Sequence, residues 1–189
     1  MMQEINHQPG QWSDEALMER FVQRRNDQFF GMLYQRHYQS LARYLWWLSG
    51  DREAARDLTQ DIFLKIYQKP NLFDPGRPFR VWLFVIAQNT WRNYVRQGVN
   101  RKKVQEQWLQ IPLPDWTVDP LEERQEAFEQ IRRALQSLSE KHQEVVLLKY
   151  SNNLSLEEIA GVLDCSTGTV KSRLFYALQK IKGLVHPPT

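Results

Sequence analysis

The chain has 189 residues, and its 25 lysines and arginines against 22 acidic residues leave a formal net charge of +3. This length admits one large domain or two small ones, and the slightly basic balance is compatible with a polyanionic partner. A single cysteine, Cys165, excludes an internal disulfide and is typical of a reducing compartment. The histidines are scattered along the sequence, so we expect neither a metal site nor a cofactor.

The sequence carries no apolar run that is long enough to cross a bilayer. Its first residues lack the basic and then apolar composition of a signal peptide. We therefore expect a soluble, cytoplasmic protein that does not insert into a membrane.

The first half of the chain carries helical patterns. Ser13 and Asp14 begin the first pattern, after a polar tail over residues 1–12. A second pattern runs from about Asp27 to Leu48 and is broken at Ser49-Gly50, where Asp51 can cap the next helix. Since β-like alternation is scarce throughout the chain, the sequence predicts an all-α fold.

The helix predicted from Asp51 to about Gln68 has two contrasting faces. At about 100° per residue its apolar residues fall on one side, which we assign to the core: Ala55, Leu58, Ile62, Phe63 and Ile66. The other side carries Asp57, Gln60, Asp61 and Leu64. This second side is either a surface that docks onto another protein or an ordinary charged surface with one exposed leucine. Taken alone, these residues favour the ordinary surface.

A turn-rich loop, Pro70 to Pro78, precedes a long helix predicted from Phe79 to about Gln97. One side of this helix carries Phe79, Trp82, Leu83, Ile86, Thr90 and Tyr94. The opposite side combines aromatic rings with arginines: Arg80, Phe84, Gln88, Trp91, Arg92 and Arg96. Such a surface suits single-stranded or distorted nucleic acid, because bases stack on rings and phosphates pair with guanidinium groups. The residues leave equally open a helix that is buried on both sides inside a larger bundle.

Helical periodicity ends near Gln97. Residues 98–120 contain a basic cluster and several prolines, a composition typical of an interdomain linker. Helical spacing resumes at Leu121 and runs to Leu138, and Ser139 begins a further helix. Together with the two helices that follow, these predict a four-helix domain over residues 121–185.

The last two helices predict a helix-turn-helix, a motif whose second helix can lie in a DNA major groove. Ser155 and Glu158 form a capping box for the first of them, and Ser166 or Thr167 can cap the second. The second helix carries hydroxyl groups and positive charge at outward positions: Thr167, Thr169, Lys171, Ser172, Arg173 and Tyr176. The alternative is an ordinary helical hairpin with a solvated basic face.

Three stretches follow one another in a distinctive order. They are GDREAARDLTQDIFLKIY at residues 50–67, FDPGRPFRVWLFVIAQNTWRNYVR at 73–96, and LSEKHQEVVLLKYSNNLSLEEIAGVLDCSTGTVKSRLFYALQKIK at 138–182. In this order the chain resembles the two-domain bacterial sigma factors of the extracytoplasmic-function group in the sigma-70 family. The resemblance extends over nearly the whole chain from about Ser13. It implies a first domain at residues 13–97, a linker at 98–120 and a second domain at 121–185.

The resemblance implies a protein that joins core RNA polymerase and directs it to a subset of promoters, without being an enzyme itself. The family's polymerase-docking helix corresponds here to Asp57, Leu58, Gln60, Asp61 and Phe63. The segment that reads and helps to melt the minus-ten promoter element corresponds to Asn71, Phe73, Arg77, Arg80, Gln88, Asn89, Arg92 and Arg96. The minus-thirty-five reader corresponds to Thr167, Thr169, Lys171, Ser172, Arg173 and Tyr176. Promoter DNA and an anti-sigma factor are thus further implied partners.

The sequence departs from the family pattern at several positions. Asn93 stands where the family often has an aspartate, and Asp164-Cys165 replaces a turn often written with glycine and a small apolar residue. Trp46, Trp47 and Trp91 are unusually large side chains for these positions in the family pattern. These departures bear on the promoter sequence that is preferred.

Two other functions compete with this interpretation. A conventional regulator would use only the helix-turn-helix and bind operators as a dimer without polymerase. It would leave the Asp57 surface and the aromatic long helix unexplained. A pure interaction protein, such as a sigma mimic that occupies a regulator, would not support transcription.

Overall fold

A computed structural model describes residues 12–97 and 130–185, and within these two ranges the chain forms helices and no β-strand. The elements in chain order are α1 (Asp14–Arg24), α2 (Asp27–Ser49), α3 (Arg52–Gln68), a 3-10 turn (Pro70–Leu72), α4 (Phe79–Arg96), α5 (described over residues 130–136), α6 (Glu140–Val146), a π turn (Leu147–Ser151), α7 (Leu156–Leu163) and α8 (Thr167–Val185). The predicted all-α class is confirmed. The predicted linker over 98–120 lies outside the described residues, as does the beginning of the helix predicted at Leu121.

Local capping explains where the first helices begin. The side chains of Ser13, Asn26 and Asp51 each accept a backbone N–H from the first turn of α1, α2 and α3. Each bond satisfies a donor that the helix itself leaves unpaired, which is why these residue types are favoured at this position. α2 ends at Gly50, whose φ of 72° lies in the left-handed region that favours glycine.

The central helix of the first domain is α2, which contacts α1, α3 and α4. Its buried face meets large side chains from the other three helices. The fully buried set includes Leu17, Phe21, Leu33, Leu41, Tyr44, Leu45, Ile62, Phe79 and Leu83. Burying one such side chain stabilises the fold by roughly 1.5–3 kcal/mol, so this core holds α3 and α4 in fixed positions.

The second domain is built on α6, α7 and α8, and its core includes Val145, Leu148, Ile159, Val170 and Ala177. The predicted capping box is present, because the Ser155 hydroxyl accepts the N–H of Glu158 while the Glu158 carboxylate accepts the N–H of Ser155. α7 ends at Asp164, which adopts a left-handed φ of 51°. Aspartate tolerates this conformation better than most residues, so the turn forms without glycine.

The two domains pack against each other. α7 lies against α4, and α6 and the π turn contact α2. The buried apolar side chains of both domains form one continuous cluster. The second domain therefore covers one side of α4.

Candidate nucleic-acid interface

The polar side of α3 faces solvent, as the sequence predicted. Asp57, Gln60 and Asp61 are exposed, and Leu64 beside them is 53% exposed. The helical repeat brings these four side chains onto one surface, which we call the acidic surface. It presents two carboxylates around an apolar side chain, an arrangement suited to a protein partner with basic and apolar groups.

Two of the predicted docking residues do not belong to the acidic surface. Leu58 and Phe63 are buried in the core. The Phe63 ring lies 4.8 Å from that of Tyr34 and 6.2 Å from that of Phe30, measured between centroids. Their assignment to the core from the helical repeat is confirmed, because the inward side of α3 uses them to pack on α2. Their contact with a partner stays a prediction.

The loop before α4 exposes Asn71 and Arg77, both predicted to contact DNA. The guanidinium of Arg77 forms an ion pair of 3.6 Å with Asp74, and both side chains are largely exposed. Phe73 is instead buried, with its ring centroid 5.8 Å from that of Phe79 and 5.2 Å from that of Trp82. The ring therefore anchors the loop to α4 and leaves its polar neighbours outside, and its contact with DNA stays a prediction.

The side of α4 that was predicted to face outward is divided. Asn89 and Arg96 are exposed, and Arg80 and Arg92 are half-buried. Gln88 is fully buried, and Phe84 and Trp91 are almost fully buried. Trp91 and Gln88 hydrogen-bond to Glu140 and Glu144 of the second domain, and the Phe84 ring packs edge to face on that of Tyr44 at 5.3 Å. The sequence left exposure and burial of this side equally open. The alternative of a helix buried on both sides describes this part of α4.

Gln88 connects three helices through its amide. The hydroxyl of Tyr44 on α2 donates a hydrogen bond of 2.7 Å to Gln88 Oε1. The Gln88 Nε2 group donates to Oε1 of Glu144 on α6. Burial raises the pKa of Glu144, although the hydrogen bond from Gln88 and the positive charges of Arg92 and Arg173 act in the opposite direction.

The charge of Glu144 acts on the hydroxyl of Tyr44 inside this buried network. Burial raises the pKa of the Tyr44 hydroxyl well above its usual range, and the nearby negative charge of Glu144 adds to the increase. The hydroxyl therefore stays protonated and remains a hydrogen-bond donor to Gln88.

The second helix of the helix-turn-helix, α8, presents most of its predicted contact residues. Lys171, Ser172 and Tyr176 are exposed, and Thr167 and Thr169 are half-buried. The helix is capped by Ser166 rather than Thr167, because the Ser166 hydroxyl oxygen accepts the backbone N–H of Thr169 at 3.1 Å. The Thr169 hydroxyl lies 2.9 Å from the same oxygen, so it supports the cap as well.

Arg173 lies half-buried in the second turn of α8. Its Nη1 atom is 3.9 Å from the sulfur of Cys165, within the weak hydrogen bonds that sulfur accepts. Phe175 is a residue that the sequence did not single out, and it is 57% exposed. Its ring meets that of Tyr176 edge to face at 5.6 Å. The sequence could have pointed to Phe175, because its apolar ring interrupts an otherwise polar helix surface.

No group of three or more His, Cys, Asp and Glu side chains that could hold a metal ion occurs in residues 12–97 and 130–185. None of the helices described in those segments is long and apolar enough to cross a membrane.

Comparison with protein families matches both domains. Residues 33–101 match the family described as Sigma-70 region 2, and residues 128–181 match Sigma-70, region 4. The first match contains the acidic surface and α4, and the second contains α6, α7 and most of α8.

Similar proteins cover nearly the full length. The ECF RNA polymerase sigma-E factor of Escherichia coli strain K12 is 32% identical over 94% of this chain and 96% of its own length. The RNA polymerase sigma factor YlaC of Bacillus subtilis strain 168 is also 32% identical, over 79% of this chain and 88% of its own length. The structure of CnrH in complex with the cytosolic domain of CnrY superposes with a TM-score of 0.70 at 26% identity, covering 93% of this chain and 99% of CnrH.

Proposed function

Because this chain belongs to the extracytoplasmic-function group of the sigma-70 family, we propose that its exposed surfaces divide the work of promoter-specific initiation among them. The chain is an RNA polymerase sigma factor, and sigma factors are regulatory initiation factors rather than catalysts. We propose that the polymerase supplies all of the chemistry. The observation that carries the assignment is the succession of a region 2 match and a region 4 match in one chain.

The acidic surface of α3 is the proposed contact with core RNA polymerase. Asp57 and Asp61 supply negative charge, and Gln60 supplies an amide. Leu64 supplies an exposed apolar side chain, which gains free energy when a partner removes it from water. Opposite charge on the polymerase would speed the encounter, and burial of Leu64 would add affinity. Leu58 and Phe63 support this surface from beneath by fixing α3 on α2.

The loop and α4 are the proposed reader of the minus-ten element. The exposed and half-buried candidates are Asn71, Arg77, Arg80, Asn89, Arg92 and Arg96. Arginines on this surface would neutralise phosphates, and the asparagines offer both donors and acceptors to unpaired bases. Each captured base is removed from pairing, so binding shifts the duplex towards the melted form. Gln88 joins this set only when the second domain no longer covers it.

α8 is the proposed reader of the minus-thirty-five element. Lys171, Ser172 and Tyr176 face outward, and Thr167 and Thr169 mark the amino-terminal end of the helix that would enter the groove. A bidentate contact from Arg173 to guanine would contribute about 1–3 kcal/mol of discrimination. A contact to phosphate would position the helix without reading sequence.

The proposed domain boundaries are 13–97 for the polymerase and minus-ten domain, 98–120 for the linker and 121–185 for the minus-thirty-five domain. An anti-sigma factor is a further proposed partner, supported by the likeness to CnrH, whose structure contains the cytosolic domain of CnrY. We place the protein in the cytoplasm, where promoter DNA and polymerase are found.

The deciding experiment is run-off transcription with core RNA polymerase that has been freed of all other sigma factors. Adding this chain should produce discrete transcripts from genomic fragments, and core polymerase by itself should produce none of them. If no new transcript starts appear, the proposed function is wrong. A gel-shift assay without polymerase tests the rival regulator, which would bind a palindromic duplex tightly by itself.

A further inference from the structure

The loop between α3 and α4, residues 69–78, is bonded to α1 on both of its sides, and we call it the minus-ten loop. On one side, Nη1 of Arg25 donates a hydrogen bond of 3.0 Å to the backbone carbonyl of Tyr67 in the last turn of α3. On the other side, the Glu15 carboxylate accepts the backbone N–H of Phe79, the first residue of α4. Glu15 lies in the first turn of α1, and Arg25 directly follows its last residue. The minus-ten loop therefore runs from one end of α1 to the other.

The length of α1 sets the distance that the minus-ten loop spans. Glu15 and Arg25 are ten residues apart, which corresponds to about 15 Å along a helix axis. A ten-residue loop could extend to about 33–36 Å, so its own length does not fix the span. α1 also packs against the 3-10 turn inside the loop, where Pro70 is buried. The two bonds and this contact together hold the loop at one span.

Arg25 occupies a backbone position that favours glycine. Its φ of 49° lies in the left-handed region, where the Cβ atom of an L-residue is strained. α2 ends in the same region with Gly50, which has no such strain. The side chain explains why an arginine stands here, since its guanidinium satisfies a carbonyl that the last turn of α3 leaves unpaired.

Tyr67 connects the end of α3 to the turn between α1 and α2. Its hydroxyl donates a hydrogen bond of 2.9 Å to the carboxylate of Asp27, the first residue of α2. Its ring centroid lies 5.4 Å from that of Phe21 on α1. Because Tyr67 is 38% exposed, burial by itself does not hold it. The bonds from Arg25 and to Asp27 fix the point where the minus-ten loop leaves α3.

Inside this span the minus-ten loop is ordered by its own hydrogen bonds. The N–H of Phe73 donates to the Pro70 carbonyl at 3.1 Å, and the N–H of Gly76 donates to the Asp74 carboxylate at 2.9 Å. The Phe73 ring is buried beneath the loop. A loop that is already ordered loses less conformational entropy when it binds unpaired bases.

We propose that α1 is a strut that fixes the span of the minus-ten loop, with Arg25 and Glu15 as positioning residues at its two ends. The inference rests on the function proposed above, in which this loop captures unpaired bases. Each residue acts through the backbone of α3 or α4 rather than by touching DNA. When one end is released, the loop adopts several spans, and affinity for the bases falls in proportion to the fraction that keeps the binding geometry.

Arg25→Gly separates positioning from stability. The substitution removes the guanidinium and also relieves the strain of the left-handed position, so the fold should stay about as stable as wild type. Core polymerase carrying this variant should bind a fluorescent single strand with the minus-ten element of a mapped promoter about fivefold more weakly, or worse. Its binding to core polymerase, and to a duplex with only the minus-thirty-five element, should stay within about twofold of wild type.

Further variants provide the rescue and the controls. Arg25→Lys keeps a donor for the Tyr67 carbonyl and should restore most of the affinity for the single strand. Arg24→Ala removes the same charge from the neighbouring exposed residue and should behave as wild type. Glu15→Ala should weaken binding of the single strand, whereas Glu15→Gln keeps an acceptor for the Phe79 N–H and should not.

Hydrogen exchange in the full chain without polymerase gives an independent measurement. The backbone N–H groups of Leu72, Phe73 and Arg77 donate to carbonyls within the loop or at its edge. In Arg25→Gly they should exchange about fivefold faster than in wild type, and the N–H groups of α2 should not. Arg24→Ala should leave both sets unchanged.

The outcomes separate the strut from the proposed function. Wild-type affinity and wild-type exchange in Arg25→Gly would overturn the strut and leave the sigma factor function standing. An equal loss of polymerase, minus-thirty-five and minus-ten binding would show that Arg25 only stabilises the fold, which also overturns the strut. If the wild-type chain on core polymerase does not bind the single strand while exchange still quickens in Arg25→Gly, the proposed minus-ten reader is wrong and the strut still holds the loop.

Discussion

The carboxylate of Glu15 accepts a hydrogen bond of 2.8 Å from the backbone N–H of Phe79, the first residue of α4. Pro78 precedes this helix and provides no side-chain cap of its own. The first turn of α4 is thus satisfied by a residue that lies 64 positions earlier, on α1. The proposed minus-ten helix is therefore positioned from its first turn by the opposite end of the domain.

Glu15→Ala should destabilise the first domain because it leaves the Phe79 N–H without its acceptor. The expected loss is about 0.5–2 kcal/mol in the free energy of unfolding, the range measured for helix caps. Urea denaturation followed by circular dichroism measures it. Glu19→Ala, an exposed residue on the same helix, should change the value by less than about 0.5 kcal/mol. Equal stability of the two variants would show that the bond does not cap α4.

Asp61→Arg should abolish binding to core RNA polymerase while leaving the helical content unchanged. The substitution places a positive charge in the middle of the acidic surface, where a like charge on the partner would cost several kcal/mol. Co-elution with core polymerase in size-exclusion chromatography measures the effect, and circular dichroism checks the fold. Glu19→Arg is the control, since it makes the same change at an exposed position on α1. Normal co-elution of Asp61→Arg would count against the proposed docking surface.

Arg173→Ala should weaken promoter binding by holoenzyme without weakening assembly with polymerase. If Arg173 reads guanine, the loss is about 1–3 kcal/mol and is confined to duplexes that carry the guanine. Arg173→Lys keeps the charge but loses the bidentate geometry, so it should lose most of the same discrimination. Fluorescence anisotropy on matched and mismatched duplexes distinguishes these variants. Unchanged occupancy by Arg173→Ala would remove this residue from the reading surface.

Lys171→Ala provides the contrasting case on the same helix. An exposed lysine that contacts phosphate contributes to all sequences alike. The substitution should weaken binding uniformly and reduce the slope of log affinity against log salt by about one. A change confined to one duplex sequence would instead assign Lys171 to a base.

The contact between the domains should strengthen as the pH falls. Burial raises the pKa of Glu144 above its ordinary 4.5, and the negative charge of Glu140 raises it further. The hydrogen bond from Gln88 and the positive charges of Arg92 and Arg173 lower this pKa and so oppose part of the increase. Opening returns the carboxyl to water, so the closed form binds more protons between 4.5 and the raised value. The stabilisation by protonated Glu144 is complete below that interval and is lost as the pH rises through the raised pKa.

The radius of gyration should therefore decrease on titration from about pH 8 to about pH 5. Glu144→Gln keeps a neutral acceptor for Gln88, so this variant should stay compact and show little dependence on pH. Glu157→Gln is the matched control, since this exposed carboxylate on α7 is not among the groups that act on Glu144. A wild-type radius that grows as the pH falls would contradict the assignment to Glu144.

Helix boundaries and caps could be predicted from the sequence because their causes are local. Asp51, Ser155 and Glu158 bond to backbone groups three residues away, which a pattern of residue types reveals. The acidic surface followed equally from the helical repeat, since Asp57, Gln60 and Asp61 needed only the direction of the core to be placed. The order of the three stretches was sufficient to indicate the family.

The tertiary structure decided what covers each helix. The helical repeat assigned Leu58 and Phe63 to the core while the resemblance assigned them to the docking surface, and the structure packs both on α2. Phe84 and Trp91 suited both nucleic acid and a bundle interior. The Phe84 ring packs on Tyr44 of α2, and the Trp91 indole bonds to Glu140, 49 positions further along the chain. Gln88 is buried because Glu144, 56 positions later, meets its amide. The sequence by itself determined the helices, their caps and the family, because these depend on neighbours within a few residues. The burial of α4 depends on contacts between distant segments, and no local pattern contains that information.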